Sequence, residues 1–250
     1  QRRAGPEVMR AVNVEGTARV LEAARACGVR RVVYLSSVEV YGVPRMAPCP
    51  EEAPLAPIGE YGRNKVESEA LCIQALAQGL EVSILRPTTI VGPRLDEPFF
   101  LSLLRSVRDQ RPVYILGRGD NRFQLVHAED VAAACLVAAG HPHAVGQAFN
   151  IGSEDVPSIR QMVQDVLTAV GSRSRVIPVP AALARAAVGA LRWMGRAPLE
   201  PEHLAIALAE YVFSIDKANR LLGWNPRWRQ VDALLATYAW LTNHPGSSMQ

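Results

Sequence analysis

Short apolar runs, each long enough for only one buried strand, punctuate this 250-residue chain and limit the folds open to it. Val32–Leu35, Val82–Leu85, Val113–Leu116, Phe123–Val126 and Ala148–Ile151 are flanked by polar, glycine or proline residues. That is the pattern of strands buried on both faces. Between them lie stretches of helical pattern: Val12–Cys27, a segment from Tyr61 to Gln78, Phe99–Val107, a segment running from His127 to Ala139, and Ile159–Val170. Gly28 and Gly79 follow two of these as helix-ending glycines do. Strands that alternate with helices predict an α/β fold with a parallel sheet. Pro178 would confine a strand over Val176–Val179 to a sheet edge. From Ala181 onward the pattern is mostly helical, including Asp216–Leu222 and Val231–Leu241, which predicts a smaller second lobe.

Composition narrows the function. A net charge of +3 is too small to argue for nucleic acid or an anionic membrane surface. Cys27, Cys49, Cys72 and Cys135 have neither C-x-x-C pairing nor metal-ligand spacing, so reduced thiols in a cytoplasmic protein and no metal site are expected. The first residues are polar, unlike a signal peptide. No apolar run reaches the roughly 20 residues of a membrane span, and Ala181–Gly195, broken by Arg185 and Arg192, reads as an amphipathic helix. Two prolines in Arg86–Pro93 predict that regular structure ends there in a loop at a strand's carboxyl end, where ligands sit in open α/β sheets.

One pair carries chemistry. Tyr61 and Lys65 lie one helical turn apart on one face. A free phenol, with a pKa of about 10, is a poor proton carrier near neutrality; a neighbouring ammonium favours phenolate and makes it a better one. Upstream, the run Val32–Leu35 closes on Ser36 and Ser37, and a proline-rich loop leads to the Tyr61 helix.

A strand ending in serine, a loop, then a helix with Tyr-x-x-x-Lys resembles the extended short-chain dehydrogenase/reductases, the NAD-dependent epimerase/dehydratase family. Further segments resemble it as well: Asn13-Val14-Glu15-Gly16-Thr17, Ser36-Ser37-Val38-Glu39-Val40-Tyr41-Gly42, Arg86-Pro87-Thr88-Thr89, Val126–Val131 and Leu222–Pro226. The resemblance implies an incomplete Rossmann-like parallel sheet with helices on both faces and a C-terminal substrate lobe. It divides the chain into a partial NAD(P)-binding domain over 1–160 and a mostly helical substrate-binding lobe over 161–250. It makes Tyr61 the acid–base, Lys65 its helper and a holder of the nicotinamide ribose, and Ser37 the hydrogen-bond partner of the substrate oxygen. It adds Asn13, Ser36, Pro87 and Thr88 around NAD or NADP, and Glu39, Thr89 and Arg122 near substrate. His127 is expected to be an oriented loop residue, Asp130 a cap or anchor, and Trp224, Trp228 and Trp240 packing residues.

The sequence departs from the family pattern in places. Its Gly-x-x-Gly-x-x-Gly phosphate loop and the residue that selects NAD or NADP are not among these residues, so weak dinucleotide binding by this chain alone is expected. Phe123 stands where many nucleotide-sugar enzymes carry Arg, with Arg122 one residue earlier. Glu39 matches a dehydratase's general base, but Val38 replaces the accompanying acid, which weighs against a 4,6-dehydratase. The leading expectation is an epimerase or oxidoreductase on a nucleotide sugar or related alcohol. The alternatives are a hydroxysteroid- or flavonol-type dehydrogenase, favoured by the apolar Phe99, Phe100 and Leu101, and a non-catalytic binding protein. The resemblance also implies a homodimer.

Overall fold

The computed structural model describes residues 5–95, 97–186 and 201–244. In chain order the helices are α1 (Pro6–Arg10), α2 (Gly16–Ala26), α3 (Glu60–Ala77), α4 (Pro98–Arg108), α5 (Ala128–Gly140), α6 (Ile159–Ala169), α7 (Pro201–Leu208), α8 (Asp216–Leu222) and α9 (Gln230–Asn243). The strands are β1 (Arg31–Leu35), β2 (Glu81–Pro87), β3 (Thr89–Val91), β4 (Val113–Leu116), β5 (Leu125–His127), β6 (Ala148–Ile151) and β7 (Val176–Val179). Among the described residues the strands β1–β7 pair in parallel, as the alternating pattern predicts. Of the amphipathic helix expected over Ala181–Gly195, residues 181–186 are helical and the remainder lies outside the described residues. Among the described residues no helix is long and apolar enough to cross a membrane.

The chain forms two compact units, each gathered from three stretches. The first joins Gln1–Thr88, Glu129–Gly152 and Phe213–Asn225. Its sheet has the order β1-β2-β6, with Leu35 opposite Leu85 and Pro87 opposite Ile151. Leu21 and Ala24 of α2 and Cys72 and Ala75 of α3 pack with Val82 and Ile84 of β2. Each large aliphatic buried this way contributes about 1.5–3 kcal/mol. Both helices end as their glycines predict. Gly28 (φ 68°) donates to the Arg25 carbonyl at 3.1 Å and Val29 to Ala24 at 2.8 Å; Gly79 (φ 93°) donates to Leu76 at 3.0 Å and Leu80 to Ala75 at 3.1 Å. This double bond pattern satisfies the last carbonyls and turns each chain straight into its strand.

Two expectations need correction here. The stretch Val12–Cys27 is not one regular helix: Ala11–Glu15 is a π-turn, which widens the helix at Asn13. Nor does Pro87 end regular structure, since β2 runs through it and β3 resumes at Thr89. Alternate residues of β2 face alternate neighbours. Ile84 and Thr88 donate toward the β6 side, to Gln147 and Ile151 at 2.9 Å each, and Leu85 accepts from Ser36 at 2.7 Å on the β1 side. Pro87 is turned to the β1 side just beyond the Ser36–Leu85 bond; lacking an N–H, it gives nothing to the Ser36 carbonyl, and the β1–β2 ladder closes there.

The second unit joins Thr89–Ala128, Ser153–Val212 and Pro226–Gln250. It holds two two-stranded sheets, β3-β5 and β4-β7, so Pro178 indeed sits in a strand with an open edge. The core is Phe100, Leu104 and Val107 of α4, Met162, Val163 and Val166 of α6, and Leu234 of α9. The strand expected over Phe123–Val126 is shifted to Leu125–His127. Residues 122–124 pair instead with Tyr211, through Tyr211 N–H to the Arg122 carbonyl and Gln124 N–H to the Tyr211 carbonyl, 2.9 Å each. Gln230 acts as a strand surrogate, accepting the Leu125 N–H and donating to the Phe123 carbonyl at 2.9 Å each.

Candidate active site

The first turn of α3 lies directly against the tight turn that follows β1. Ser37 opens that turn, and its hydroxyl accepts the Glu39 N–H at 3.1 Å. Gly62, next to Tyr61, allows the approach: a Cβ there would lie 2.6 Å from the Glu39 carbonyl oxygen and 2.9 Å from the Pro57 Cβ. A glycine is therefore required after the tyrosine for reasons of space. Ser36, Ser37 and Val38 are buried, while Glu39 and Tyr61 are half-buried.

Lys65, one turn beyond Tyr61, donates from Nζ to the Leu35 carbonyl at 2.7 Å, the last residue of β1. The same Nζ stands 4.9 Å from the Tyr34 ring centroid and 5.7 Å from that of Tyr61. Burial lowers the Lys65 pKa from its ordinary value, against the pull of the Glu69 and Cys72 charges. Tyr61, Lys65 and the end of β1 are thus gathered at the carboxyl edge of the sheet, where open α/β sheets bind ligands.

Asn13 reaches this region through the π-turn. The carbonyl that the widened turn releases accepts two hydroxyls, from Thr17 at 2.5 Å and from Ser68 of α3 at 2.9 Å. The Ser68 hydroxyl shares its one proton between this carbonyl and that of Asn64 at 2.8 Å, binding the π-turn to the catalytic helix candidate. The Asn13 Nδ2, Asn64 Nδ2 and Thr88 Oγ1 atoms are buried without a protein partner. Unpaired buried donors are costly, and a ligand carrying carboxamide or hydroxyl groups satisfies such atoms. Asn13 and Thr88 thus keep unused bonding capacity of the kind a carboxamide or hydroxyl takes up.

Behind the serines runs a buried polar network. The Glu69 carboxylate takes the Arg86 guanidinium in two bonds, Nε to Oε1 at 2.9 Å and Nη2 to Oε2 at 2.6 Å, and also accepts the Ser36 hydroxyl at 2.6 Å. Arg86 donates onward to the Tyr41 hydroxyl at 2.6 Å, which donates to Asn150 Oδ1 at 2.9 Å. The Asn150 N–H returns to Glu51 at 2.9 Å. Burial raises the pKa values of Tyr41 and Glu51 and pushes the Cys72 thiol up to about 12.

The expected site residues divide between the two units. Asn13, Ser36, Ser37, Glu39, Tyr61, Lys65, Pro87 and Thr88 belong to the first. Thr89 and Arg122 belong to the second. Thr89 opens β3 opposite Leu125, and Arg122 forms an exposed ion pair with Glu210 at 3.0 Å. His127 is not in a loop: it is the last residue of β5, buried, with its ring stacked 4.1 Å from that of Trp228. Asp130 is buried in the first turn of α5, and its carbonyl accepts the Trp224 indole N–H at 3.2 Å. Reading the sequence missed Gly62, Ser68 and Glu69. Glu69 continues the Tyr61–Lys65 spacing by one more turn, the one signal that pointed to it.

The chain is 31% identical over 241 residues to a UDP-glucose 4-epimerase of Mycolicibacterium smegmatis, covering 93% of this chain and 69% of that protein. It is 30% identical over 237 residues to a 3beta-hydroxysteroid-dehydrogenase/decarboxylase isoform of Arabidopsis thaliana, covering 86% and 54%. The crystal structure of a UDP-galactose 4-epimerase superposes with a TM-score of 0.73 at 26% identity, covering 96% of this chain and 72% of the other. The chain spans 57%, 69%, 48% and 53% of the length of four curated relatives that it matches. The sequence profile of the NAD dependent epimerase/dehydratase family matches residues 2–152, and the chain belongs to that family.

Proposed function

We propose that this chain carries the acid–base centre of an NAD-dependent enzyme that epimerises a nucleotide sugar. The observation that carries the reading is Lys65 Nζ, held 2.7 Å from the carbonyl that closes β1 and 5.7 Å from the Tyr61 ring. In this reading Tyr61 takes the proton of a substrate hydroxyl, and the Ser37 hydroxyl steadies the same oxygen. Lys65 supplies the positive charge that favours the phenolate form of Tyr61. Asn13, Lys65 and Thr88 hold the nicotinamide end of the dinucleotide, with the backbone at Pro87 beside them. When bound, the dinucleotide accepts a hydride from the carbinol carbon and returns it. The name of the Mycolicibacterium relative supports a UDP-hexose as substrate.

A second reading, an apolar alcohol, has one observation behind it. Phe123, which stands where many nucleotide-sugar enzymes carry Arg, is packed against the buried Tyr211 at 5.2 Å and Phe100 at 5.9 Å, so this position offers no guanidinium to a phosphate. The Arabidopsis relative's name points the same way. Turnover assays on the intact protein with NAD separate the two. Interconversion of UDP-glucose and UDP-galactose is the expected result. Oxidation of a 3β-hydroxysteroid without sugar-nucleotide turnover would replace the first reading with the second, and activity on neither substrate would refute both.

A further inference from the structure

Glu69 lies outside the residues that meet substrate or dinucleotide in the reading above, yet it is tied to both ends of the candidate centre. Its side chain is 3% exposed and that of its partner Arg86 7%. Two consecutive residues at the end of β1 are gripped by two residues one turn apart on α3: Lys65 holds the Leu35 carbonyl, and Glu69 holds the Ser36 hydroxyl. The next residue is Ser37. We propose that Glu69 is a positioning residue for the acid–base centre, fixing through Ser36 the turn that presents Ser37 and supplying the counter-charge that the Lys65 ammonium faces.

The inference rests on the acid–base reading of Tyr61 and Lys65. A buried carboxylate held in three hydrogen bonds has almost no freedom, so whatever it anchors inherits that rigidity. The groups facing Lys65 are the rings of Tyr34 and Tyr61, the Leu35 carbonyl, and, on its own helix, Glu69 and Cys72. Burial disfavours the Lys65 charge, and the Glu69 carboxylate opposes that loss. Arg86, on β2, neutralises part of the Glu69 charge: its Nε shares Oε1 with the Ser36 hydroxyl, its Nη2 takes Oε2, and its Nη1 reaches on to the Tyr41 hydroxyl.

In protein carrying isotope-labelled lysine, Lys65→Arg identifies which side-chain NMR titration belongs to Lys65, and the readout needs no turnover. Glu69→Gln keeps an acceptor for Ser36 while removing the charge. The Lys65 midpoint is expected to fall by about one pH unit in this variant. An unchanged midpoint would overturn the electrostatic half of the proposal. Should Glu69→Gln fail to fold because Arg86 is left unpaired, the double variant Glu69→Gln/Arg86→Met removes both buried charges, and the same downward shift is expected. Ser36→Ala keeps the ion pair and cuts only the link to the turn. It should lower kcat roughly tenfold with KM within twofold and leave the Lys65 midpoint in place. Full kcat in Ser36→Ala would overturn the positioning half. Failure of the unmodified protein to turn over any substrate would instead refute the proposed function, and the Lys65 titration would still decide the role of the Glu69 charge.

Discussion

Replacing Gly62 with alanine tests whether the contact between α3 and the turn after β1 is as tight as the geometry requires. The added methyl would sit 2.6 Å from the Glu39 carbonyl oxygen and 2.9 Å from the Pro57 Cβ. Neither neighbour is the far end of a flexible side chain, so the helix and the turn must separate by roughly half an ångström. Overpacking of this kind costs about 1–3 kcal/mol. Exchanging a helical glycine for alanine otherwise gains up to about 1 kcal/mol. A net loss of about 1–2 kcal/mol follows, and for a chain of this size that lowers Tm by roughly 2–8 °C. Because the displaced turn carries Ser37 and the displaced helix carries Tyr61, kcat should fall roughly tenfold as well. Gly16→Ala is the internal control. Its methyl would meet nothing closer than the Ala11 carbonyl oxygen at 3.7 Å, so it should stabilise α2 by about 0.5–1 kcal/mol. Thermal unfolding and steady-state rates of both variants decide the matter. A Gly62→Ala protein as stable and as active as its parent would refute the close-approach argument.

Two further outcomes follow from buried titratable groups. Burial raises the folded-state pKa of Glu51 above its ordinary 4.5, so the contribution of this residue to stability is present below that value and lost as pH rises through the folded pKa. Glu51→Gln retains an acceptor for the Asn150 N–H and removes the charge, so denaturant unfolding should show the variant gaining on its parent from pH 4 toward pH 7; an identical pH dependence would contradict the assignment. Cys72, 1% exposed with its thiol pushed up to about 12, should resist a thiol-specific reagent in the native protein, whereas the exposed Cys27 reacts first. Peptide mapping that finds Cys72 labelled as fast as Cys27 would contradict its burial.

Much of the fold was legible because local chemistry and tertiary structure agree. Gly28 and Gly79 end their helices where the pattern places them, since only a residue at ease with positive φ closes those turns. The apolar runs of β2 and β6 became strands buried almost throughout, whereas β1 is half-buried and β4 leaves Tyr114 exposed. Local signals failed where the deciding partner is distant. Pro87 reads as a strand breaker, yet it closes only the β1 side of the ladder, while Thr88 still donates to Ile151 on the β6 side. The π-turn at Asn13 is hidden in an ordinary helical pattern, because hydroxyls of Thr17 and, far along the chain, Ser68 satisfy the carbonyl it frees. His127 reads as a loop residue because it ends a three-residue strand that is set by pairing with β3, opposite Val91. Nothing local marks the stretches that gather into each compact unit, since the joining contacts, such as the Asn150 carboxamide donating to the Ser214 carbonyl at 3.2 Å, cross long spans of sequence. At the candidate site, Tyr61 and Lys65 stood out as candidates because their helical spacing follows a strand that closes on two serines, whereas Glu69 gains its meaning only from Arg86 on β2 and Ser36 after β1.

The account stands on proton transfer at Tyr61, and the rate of hydride transfer in Tyr61→Phe, followed by the absorbance of reduced nicotinamide in the intact protein, tests it most directly. The phenyl ring keeps the contact with Lys65 and loses only the hydroxyl. A fall of roughly 10²–10⁴-fold with dinucleotide affinity preserved is the predicted result; a rate within fivefold of the parent would show that another group moves the proton.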